Sequence, residues 1–262
     1  MKTTANFFKI ILLIFLISTF FNCKKEEETV DNNTPEIQTA TGDIMYIKSI
    51  EKSNNPVVSF EYDDSHRLSK MIFYSGSTTT ELRCTYDNGK MIKSEVYGDN
   101  TLYFKFTYSY DNSGNLERCD FFNPEDNTDT QYWTFENDNG KITSIIEYND
   151  NIPIEKYEFS YMDDSISMIK EYSYSNNNWE MFGYKEYECD NKNNPFYVLQ
   201  IPFSLDMDEM PLFVNKNNIL VEKIYDADGN LQFTDQSVYT YNNKSYPETI
   251  TEDSTTNTIT YY

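Results

Sequence analysis

The chain alternates aromatic and polar residues over stretches the length of a β-strand, and each stretch ends in a short run rich in Asp and Asn. Alternation with a period of two is typical of a strand that buries one of its faces. The pattern therefore predicts strands. In the clearest stretch, one face of the strand carries Leu102, Phe104, Phe106, Tyr108 and Tyr110, and the other carries Lys105, Thr107 and Ser109.

The runs that end these stretches have the composition of hairpin turns. Asp and Asn side chains bond back to the backbone of a turn, and glycine supplies the positive φ that a tight turn needs. An apolar residue then opens a second strand, so each unit predicts one β-hairpin. The candidate turn residues form four pairs: Asp87 with Gly89, Asp111 with Gly114, Asp138 with Gly140, and Asp226 with Gly229.

The hairpin unit is repeated along the chain. Copies begin at residues 62, 86, 110, 137, 161, 189 and 225, with steps of 24 to 36 residues, and an altered copy begins at Tyr241. Self-similarity of this kind indicates a repeat architecture, and one hairpin is not stable alone. The sequence therefore predicts an all-β domain over residues 43–262. We expect an antiparallel meander of about eight hairpins that forms a curled sheet or an open, barrel-like structure.

One segment, residues 195–218, breaks the repeat. It contains three prolines and large apolar residues without strict alternation. We expect an irregular insert with a short helical turn that plugs the concave face of the sheet. A partner-binding lid is the alternative interpretation. The side chains expected to be buried are Phe203, Leu205, Met210 and Phe213.

The N-terminus has the features of an export signal. Lys2 and Lys9 lie before an apolar run, residues 10–17. This run is shorter than the roughly 20 residues of a membrane span. Cys23 follows, and the arrangement resembles a bacterial lipoprotein signal, although residues 20–22 are not the usual small residues. The resemblance implies cleavage after residue 22 and lipid attachment at Cys23. An ordinary cleaved signal with a chance cysteine is the alternative.

The residues after Cys23 are acidic and polar. Residues 23–42 contain little that could pack, which predicts a disordered tether. Its start resembles the tag that directs lipoproteins of the Bacteroidota to the cell surface; the tag residues are Lys24, Lys25, Glu26, Glu27 and Glu28. The resemblance implies a protein anchored in the outer membrane through lipid and exposed at the cell surface.

The repeats themselves resemble the tyrosine-aspartate (YD, or Rhs-type) repeats, whose signature is Tyr-Asp-x-x-Gly-Arg-Leu. The copies at Tyr110 and Tyr225 match closely, and the copy at Tyr86 matches with one residue fewer; other copies lose the tyrosine or the glycine. With the lipoprotein leader, "YECDNKNNPF" and "YTYNNKSYPETIT", the chain is similar to a family of Bacteroidota lipoproteins of unknown function that are built from such repeats.

The charge of the chain limits its partners. It has 21 basic and 43 acidic residues, a net charge of −22. Such a surface repels nucleic-acid phosphates and anionic lipid headgroups. We therefore expect no nucleic-acid partner, and membrane contact only through the lipid anchor.

The sequence shows little catalytic chemistry. The one histidine, His66, lies in a turn, so a histidine-based zinc cluster or a Ser-His-Asp triad is not expected. "DADGN" begins like a calcium loop, but Leu231 and Ser237 stand where glycine and glutamate are required. We expect no metal site and no cofactor. Cys84 and Cys119 are a candidate disulfide.

Two tryptophans, Trp133 and Trp179, have polar neighbours and are candidate platforms for stacking on sugar rings; packing against the sheet is the alternative. We expect a non-catalytic binding or scaffold module for a glycan or a protein partner. The alternative is a carbohydrate hydrolase that uses a pair of carboxylates. An integral outer-membrane barrel is disfavoured, because adjacent charged residues, such as Glu155 and Lys156, place charge on both faces of a strand.

Overall fold

A computed structural model describes residues 44–125, 130–202, 207–252 and 254–262. The fold is a single antiparallel sheet of 17 strands in meander order, nearly closed into a barrel, which confirms the all-β prediction. The predicted signal, Cys23, the acidic tag and the tether lie outside the described residues, as do Phe203 and Leu205 of the insert.

The elements alternate strands and short turns, with one longer connection. The strands are β1 (Ile47–Lys52), β2 (Asn55–Tyr62), β3 (Leu68–Ser75), β4 (Thr78–Asp87), β5 (Lys90–Gly98), β6 (Thr101–Tyr110), β7 (Leu116–Phe122), β8 (Gln131–Asp138), β9 (Lys141–Asn149), β10 (Ile152–Met162), β11 (Ser165–Ser175), β12 (Asn178–Cys189), β13 (Ile219–Asp226), β14 (Leu231–Gln236), β15 (Val238–Tyr241), β16 (Pro247–Glu252) and β17 (Thr255–Tyr261). Between β12 and β13 lie the 3₁₀ turns Tyr197–Leu199 and Met207–Glu209 and the helix α1 (Met210–Val214).

The sheet curls back on itself because β1 pairs with both β2 and β17; Ile50 lies opposite Val58 on one side and Ile259 on the other. The remaining opening is beside β14. This strand pairs with β13, while β15, separated from it by Ser237 alone, pairs with β16. We call the open edge of β14 the seam.

Alternating side chains point into the barrel and form two buried clusters. On β6 the inward face carries Phe104, Phe106 and Tyr108, each less than a tenth exposed. The larger cluster lines β5 to β12, and the smaller one lines β1 to β3 and β17. The insert contributes Met210 to the first cluster, and Leu199 to the second. The insert therefore lies inside the barrel, against both clusters.

The predicted turn residues lie in hairpin turns. Gly89, Gly114, Gly140 and Gly229 all have φ between 78° and 91°. In the longer turns the aspartate organises the backbone: Asp111 Oδ1 accepts from the amides of residues 113 and 115 at 2.9 and 2.8 Å. The same contacts recur at Asp226. Aspartate and asparagine side chains therefore stabilise these turns, although the chain contains few glycines.

In most copies a tyrosine joins the hairpin to the one before it. Tyr110 lies on the inward face of β6, and its hydroxyl donates to the Met91 carbonyl at 2.7 Å. Tyr86 donates in the same way to Leu68 at 2.9 Å. The equivalent bonds elsewhere are Tyr62 to Ile47, Asn137 to Leu116, Tyr161 to Ile142 and Tyr261 to Pro247.

In the copies at Tyr62, Tyr86 and Asn137, the basic position of the motif joins the hairpin to the one after it. The Lys90 ammonium lies 4.8 Å from the centre of the Tyr110 ring and donates to the Gly114 carbonyl at 3.0 Å. Arg67 lies over the Tyr86 ring at 4.6 Å. Cations favour the negative face of an aromatic ring. The tyrosine and the basic residue of one motif therefore contact its two neighbours.

The copy at Tyr225 lies at the opposite end of the barrel from the others. After the insert, β13 begins at the end of the barrel where the other motif turns lie and runs toward the opposite end. The 226–230 turn joins β13 to β14 at that opposite end. The Tyr225 ring stacks on Tyr184 at 4.6 Å on the outside of the barrel. This reversal accounts for the 36-residue step in the repeat.

The tyrosine bond makes a prediction about stability. Removing the hydroxyl in Tyr110→Phe leaves the Met91 carbonyl without this donor, which should lower the free energy of unfolding by about 1 kcal/mol. The control is Tyr97→Phe, because Tyr97 contacts Arg83 through its ring on the outer face. Urea denaturation of both variants measures the difference; equal stabilities would contradict the proposed role of the bond.

A second prediction concerns alkaline pH. Burial raises the pKa of Tyr110 and of Tyr161 to about 12. An unfolded tyrosine ionises near pH 10. The folded chain therefore keeps this contribution to stability below about pH 10 and loses it as the pH rises toward 12. Thermal unfolding followed by circular dichroism should show a melting temperature that is steady up to about pH 9 and then falls; a constant value up to pH 11 would contradict it.

Candidate ligand-binding cavity

The barrel contains a cavity of about 320 Å³ between β1 to β3, the insert and β13 to β17. Inward-facing residues of the alternating strands and two residues of α1 line it. Its wall is mainly apolar and includes Val58, Phe60, Met71, Phe73, Phe213 and Ile250. Phe60 is almost fully buried, and Phe213 comes from the insert, so the insert forms one side of the cavity.

The lining of the cavity also includes acidic side chains, most of them on β13 to β16. Glu222 on β13 lies directly across from Asp235 on β14, and the hydroxyl of Ser237 donates to Glu252 Oε1 at 2.8 Å. Glu209 of the insert adds a fourth carboxylate. Among the described residues that line the cavity, Lys52 is the one basic side chain. The cavity thus combines an apolar wall with an acidic side.

The acidic side affects the neighbouring tyrosine. Tyr239 lines the cavity on β15, and burial raises its pKa well above the usual value, with the charge of Glu252 adding to the effect. Tyr239 is therefore a neutral phenol at any physiological pH. It can donate or accept a hydrogen bond at the boundary between the apolar and acidic sides.

A second group of interior carboxylates lies on β9 to β12. Glu147 and Glu155 face each other across β9 and β10, and the Tyr157 hydroxyl donates to Glu155. Burial raises the pKa of Glu147, and the charge of Glu155 adds to the rise, although the amide of Gln131 donates to Glu147 Oε1 at 2.6 Å. Glu147 and Glu155 are thus a cross-strand carboxylate pair, as Glu222 and Asp235 are in the first cavity.

A buried ion pair completes this group. The Lys185 ammonium lies 3.4 Å from Glu171 Oε1, and both side chains are largely buried. Glu171 lies across from Tyr157 on the neighbouring strand. This pair could not be predicted from the sequence, because neither residue belongs to a motif. Only the register of β10, β11 and β12 brings the two residues to one interior face.

The two predicted tryptophan platforms have different positions. Trp133 is 2% exposed and packs between the rings of Phe106 and Phe121, so a stacking role for Trp133 is wrong: its faces are occupied by the core. Trp179 is half-buried on the outside of the barrel, where its ring lies 4.9 Å from Tyr174 and 5.5 Å from the Lys156 ammonium. Ligand stacking at Trp179 stays a prediction.

The remaining reactive side chains do not form a site. Cys84, Cys119 and Cys189 are free, so the candidate disulfide between Cys84 and Cys119 is not formed. Burial raises the pKa of the Cys84 thiol to about 12, which keeps it protonated and unreactive. Within the described ranges, no group of three or more His, Cys, Asp and Glu side chains is arranged to hold a metal ion.

A second cavity, about 450 Å³, lies at the end of the barrel that carries most motif turns. His66 lines it, is exposed, and has its ring 5.1 Å from Tyr46. The two fixed cations of this cavity are paired: Arg67 with Asp63 at 2.6 Å, and Lys216 with Asp164 at 2.6 Å. Its polar groups are thus largely occupied by the protein itself, and it is a weaker candidate.

Comparisons with known proteins do not assign the chain to a family. No protein-family model matches the chain, and no curated protein matches it. The crystal structure of a porin-like protein from Bacteroides uniformis ATCC 8492 aligns with a TM-score of 0.49 and 14% identity, over 83% of this chain and 96% of that chain. A porin-like protein from Bacteroides vulgatus ATCC 8482 aligns with a TM-score of 0.40 and 12% identity, over 83% and 98%.

Helices give no sign of a membrane span. In the part of the chain that the structure describes, none is long and apolar enough to cross a bilayer.

The interior carboxylates allow a matched test. Glu147→Gln should raise the melting temperature by about 2–4 °C at pH 7, because it removes a buried charge beside Glu155 and keeps an oxygen for Gln131. Glu171→Gln should lower the free energy of unfolding by about 3 kcal/mol, because it removes the charge that pairs with buried Lys185. Calorimetry of both variants decides; the same direction of change in both would contradict this assignment.

Proposed function

We propose that the protein is a non-catalytic binding protein of the outer membrane, anchored by lipid at Cys23, and that it holds a small amphiphilic molecule inside the barrel. The observation that carries this proposal is the 320 Å³ cavity with one apolar and one acidic side. Binding sites for small molecules are commonly concave, mainly apolar and furnished with a few polar groups.

The size and lining of the cavity favour an amphiphile over a sugar. Its volume is at the lower end of the range of about 300–1,000 Å³ that is usual for ligand sites. Phe60, Met71 and Phe73 offer apolar contact to a short chain or one ring, while Glu252 and Tyr239 offer hydrogen bonds. The earlier expectation of a glycan ligand now depends on Trp179, which lies on the outside of the barrel, away from this cavity.

The outward faces of the strands support attachment through a lipid rather than strands in contact with lipid tails. They carry ion pairs along the strands, for example Arg83 with Glu81 at 2.6 Å and Lys93 with Glu95 at 3.0 Å. A basic residue on a lipid-facing strand costs about 2–4 kcal/mol near the centre of a bilayer. These faces suit water, and the membrane would then be reached through the residues before the barrel.

The anchor and the surface location can be tested directly. In cells, a radiolabelled fatty acid should label the wild-type chain and leave Cys23→Ala unlabelled, because the thiol of Cys23 is the proposed attachment point. External protease should digest the wild type in intact cells. Replacement of the acidic tag residues 26–28 by alanine should prevent that digestion if the tag directs surface exposure. Lipid labelling of Cys23→Ala would contradict the proposed anchor.

A carbohydrate hydrolase is the alternative, and Glu147 with Glu155 is the pair that favours it. The neighbouring Trp133 is fully buried, however, and Tyr157 already occupies Glu155. We therefore favour binding. Turnover of any polysaccharide by the wild type that is lost in both Glu147→Gln and Glu155→Gln would favour the hydrolase.

A pair of variants tests the cavity. Ile250→Trp places a larger side chain in the cavity, whereas Thr249→Trp places the same ring on the outward face of β16. With the fluorescent probe N-phenyl-1-naphthylamine, we expect binding by the wild type and by Thr249→Trp. Ile250→Trp should bind about tenfold more weakly, since the added ring fills the space.

Circular dichroism and a melting curve of each variant show whether the barrel is intact. If Ile250→Trp unfolds, the smaller change Met71→Ala should instead increase probe binding by enlarging the cavity. Unchanged probe binding by folded Ile250→Trp would contradict the proposed function, as would no binding by the wild type.

A further inference from the structure

The seam beside β14 is where strand pairing does not close the barrel among the described residues. β14 (Leu231–Gln236) pairs along its whole length with β13. Its other edge extends past the β16–β17 hairpin, because β16 ends at Glu252, opposite the residues just after β14. Among the described residues, β13 is the strand that pairs with β14, and its second edge is open.

The register identifies which backbone groups face the open edge. The Ser237 amide donates to the Leu220 carbonyl at 2.9 Å, and in an antiparallel ladder the residues that bond to a given neighbour alternate. Residues 235 and 233 therefore bond to β13, and residues 234 and 236 direct their N–H and C=O groups outward, before the register shifts opposite Tyr225. The Gln236 amide is bonded to its neighbour's side chain, Asp235 Oδ1, which agrees with this assignment.

The side chains of β14 are also unlike those of the other strands. Phe233 lies on the concave face opposite Ile224, yet it is 53% exposed. On the closed part of the barrel, residues in equivalent positions, such as Phe104 and Phe106, are less than a tenth exposed. A missing neighbouring strand explains the difference, because concave side chains are normally covered by the strands on both sides.

This edge lacks the strongest protections against pairing. Natural sheets guard an edge with proline, lysine, a bulge, an inward-pointing charge or a very short strand. β14 reads "LQFTDQ", with neither proline nor lysine; its register shift lies near its start, opposite Tyr225, and its one charge, Asp235, points inward beside Glu222. The N–H and C=O groups along an open strand edge pair best with the backbone of another extended chain.

We propose that the seam binds an extended peptide of a partner protein, which adds as an antiparallel strand to β14. The charges near the edge determine its sequence type. Asp235, Glu222 and the turn residues Asp226 and Asp228 are acidic, so the added strand carries a basic residue opposite Asp235. It carries an apolar residue opposite Phe233, where its side chain covers the exposed concave face.

The added strand also lies next to the cavity, since Asp235 and Ser237 belong to the cavity lining. A peptide at the seam would therefore cover part of the acidic side. The inference goes beyond the proposed function and does not depend on it: a small probe can bind in the cavity whether or not a peptide pairs with β14.

The test uses the purified chain and the fluorescent hexapeptide Thr-Lys-Thr-Val-Thr-Val, which places lysine opposite Asp235 in the antiparallel register. Fluorescence anisotropy should show saturable binding to the wild type. Thr234→Pro removes an outward N–H that β13 does not use, so the fold should persist while binding weakens about tenfold or more. Thr234→Ala keeps that N–H and should bind within about twofold of the wild type.

A second peptide tests the charge. Replacing its lysine by glutamate should weaken binding by about tenfold at low salt, because the glutamate would lie opposite Asp235. The proposal is overturned if the wild type does not bind the lysine peptide, or if Thr234→Pro binds it as well as Thr234→Ala does. It is also overturned if the wild type sediments as a dimer and Thr234→Pro as a monomer, since a second copy would then occupy the edge.

Discussion

Several hairpins of this barrel depend on a tyrosine hydroxyl group that must find an acceptor. The motif tyrosine lies on the inward face of its strand, where an unbonded hydroxyl would be costly, and the acceptor is the backbone carbonyl that opens the second strand of the preceding hairpin. The bond at Tyr86 ties its hairpin to Leu68, and the bond at Tyr110 ties the next one to Met91. The repeat is thus a chain of lateral bonds.

The same geometry explains the other constant positions of the motif. The basic residue after the turn lies over the ring of the next tyrosine, as Lys141 lies 5.1 Å from the Tyr161 ring centre. The apolar residue after it is buried, as at Leu116, and offers its carbonyl to the following repeat. Where the tyrosine is lost, Asn137 donates from its side-chain amide to the same carbonyl, so the lateral bond survives the substitution.

Much of this fold could be predicted from the sequence, because strand alternation and turn chemistry are local. The turns at Asp111 and Gly114 are local features and lie where the sequence predicts them. The near closure of the sheet was not predictable, since the pairing of Ile50 with Ile259 joins opposite ends of the chain. The burial of Trp133 was unpredictable for the same reason, because its polar sequence neighbours do not indicate that Phe106 and Phe121 pack against it.

The candidate site was less predictable than the fold. The cavity wall combines residues from β1 to β3 with the insert and the last five strands, and no spacing in the sequence relates them. Glu222 and Asp235 are unremarkable acids among 43 until the register places them opposite each other. The open edge of β14 follows from the insert, which reverses the phase of the repeat so that the Tyr225 ring stacks outside on Tyr184 and forms no lateral bond of this kind.

The hydroxyl protons of the motif tyrosines test the central claim most directly. In a chain labelled with isotope-enriched tyrosine, nuclear magnetic resonance should detect slowly exchanging hydroxyl protons for Tyr62, Tyr86, Tyr110 and Tyr161. The outward-facing Tyr97 should give no such signal, because its ring rather than its hydroxyl contacts Arg83. Hydroxyl protons that exchange equally fast at all five positions would contradict the account, since the lateral bonds would then not hold the hairpins together.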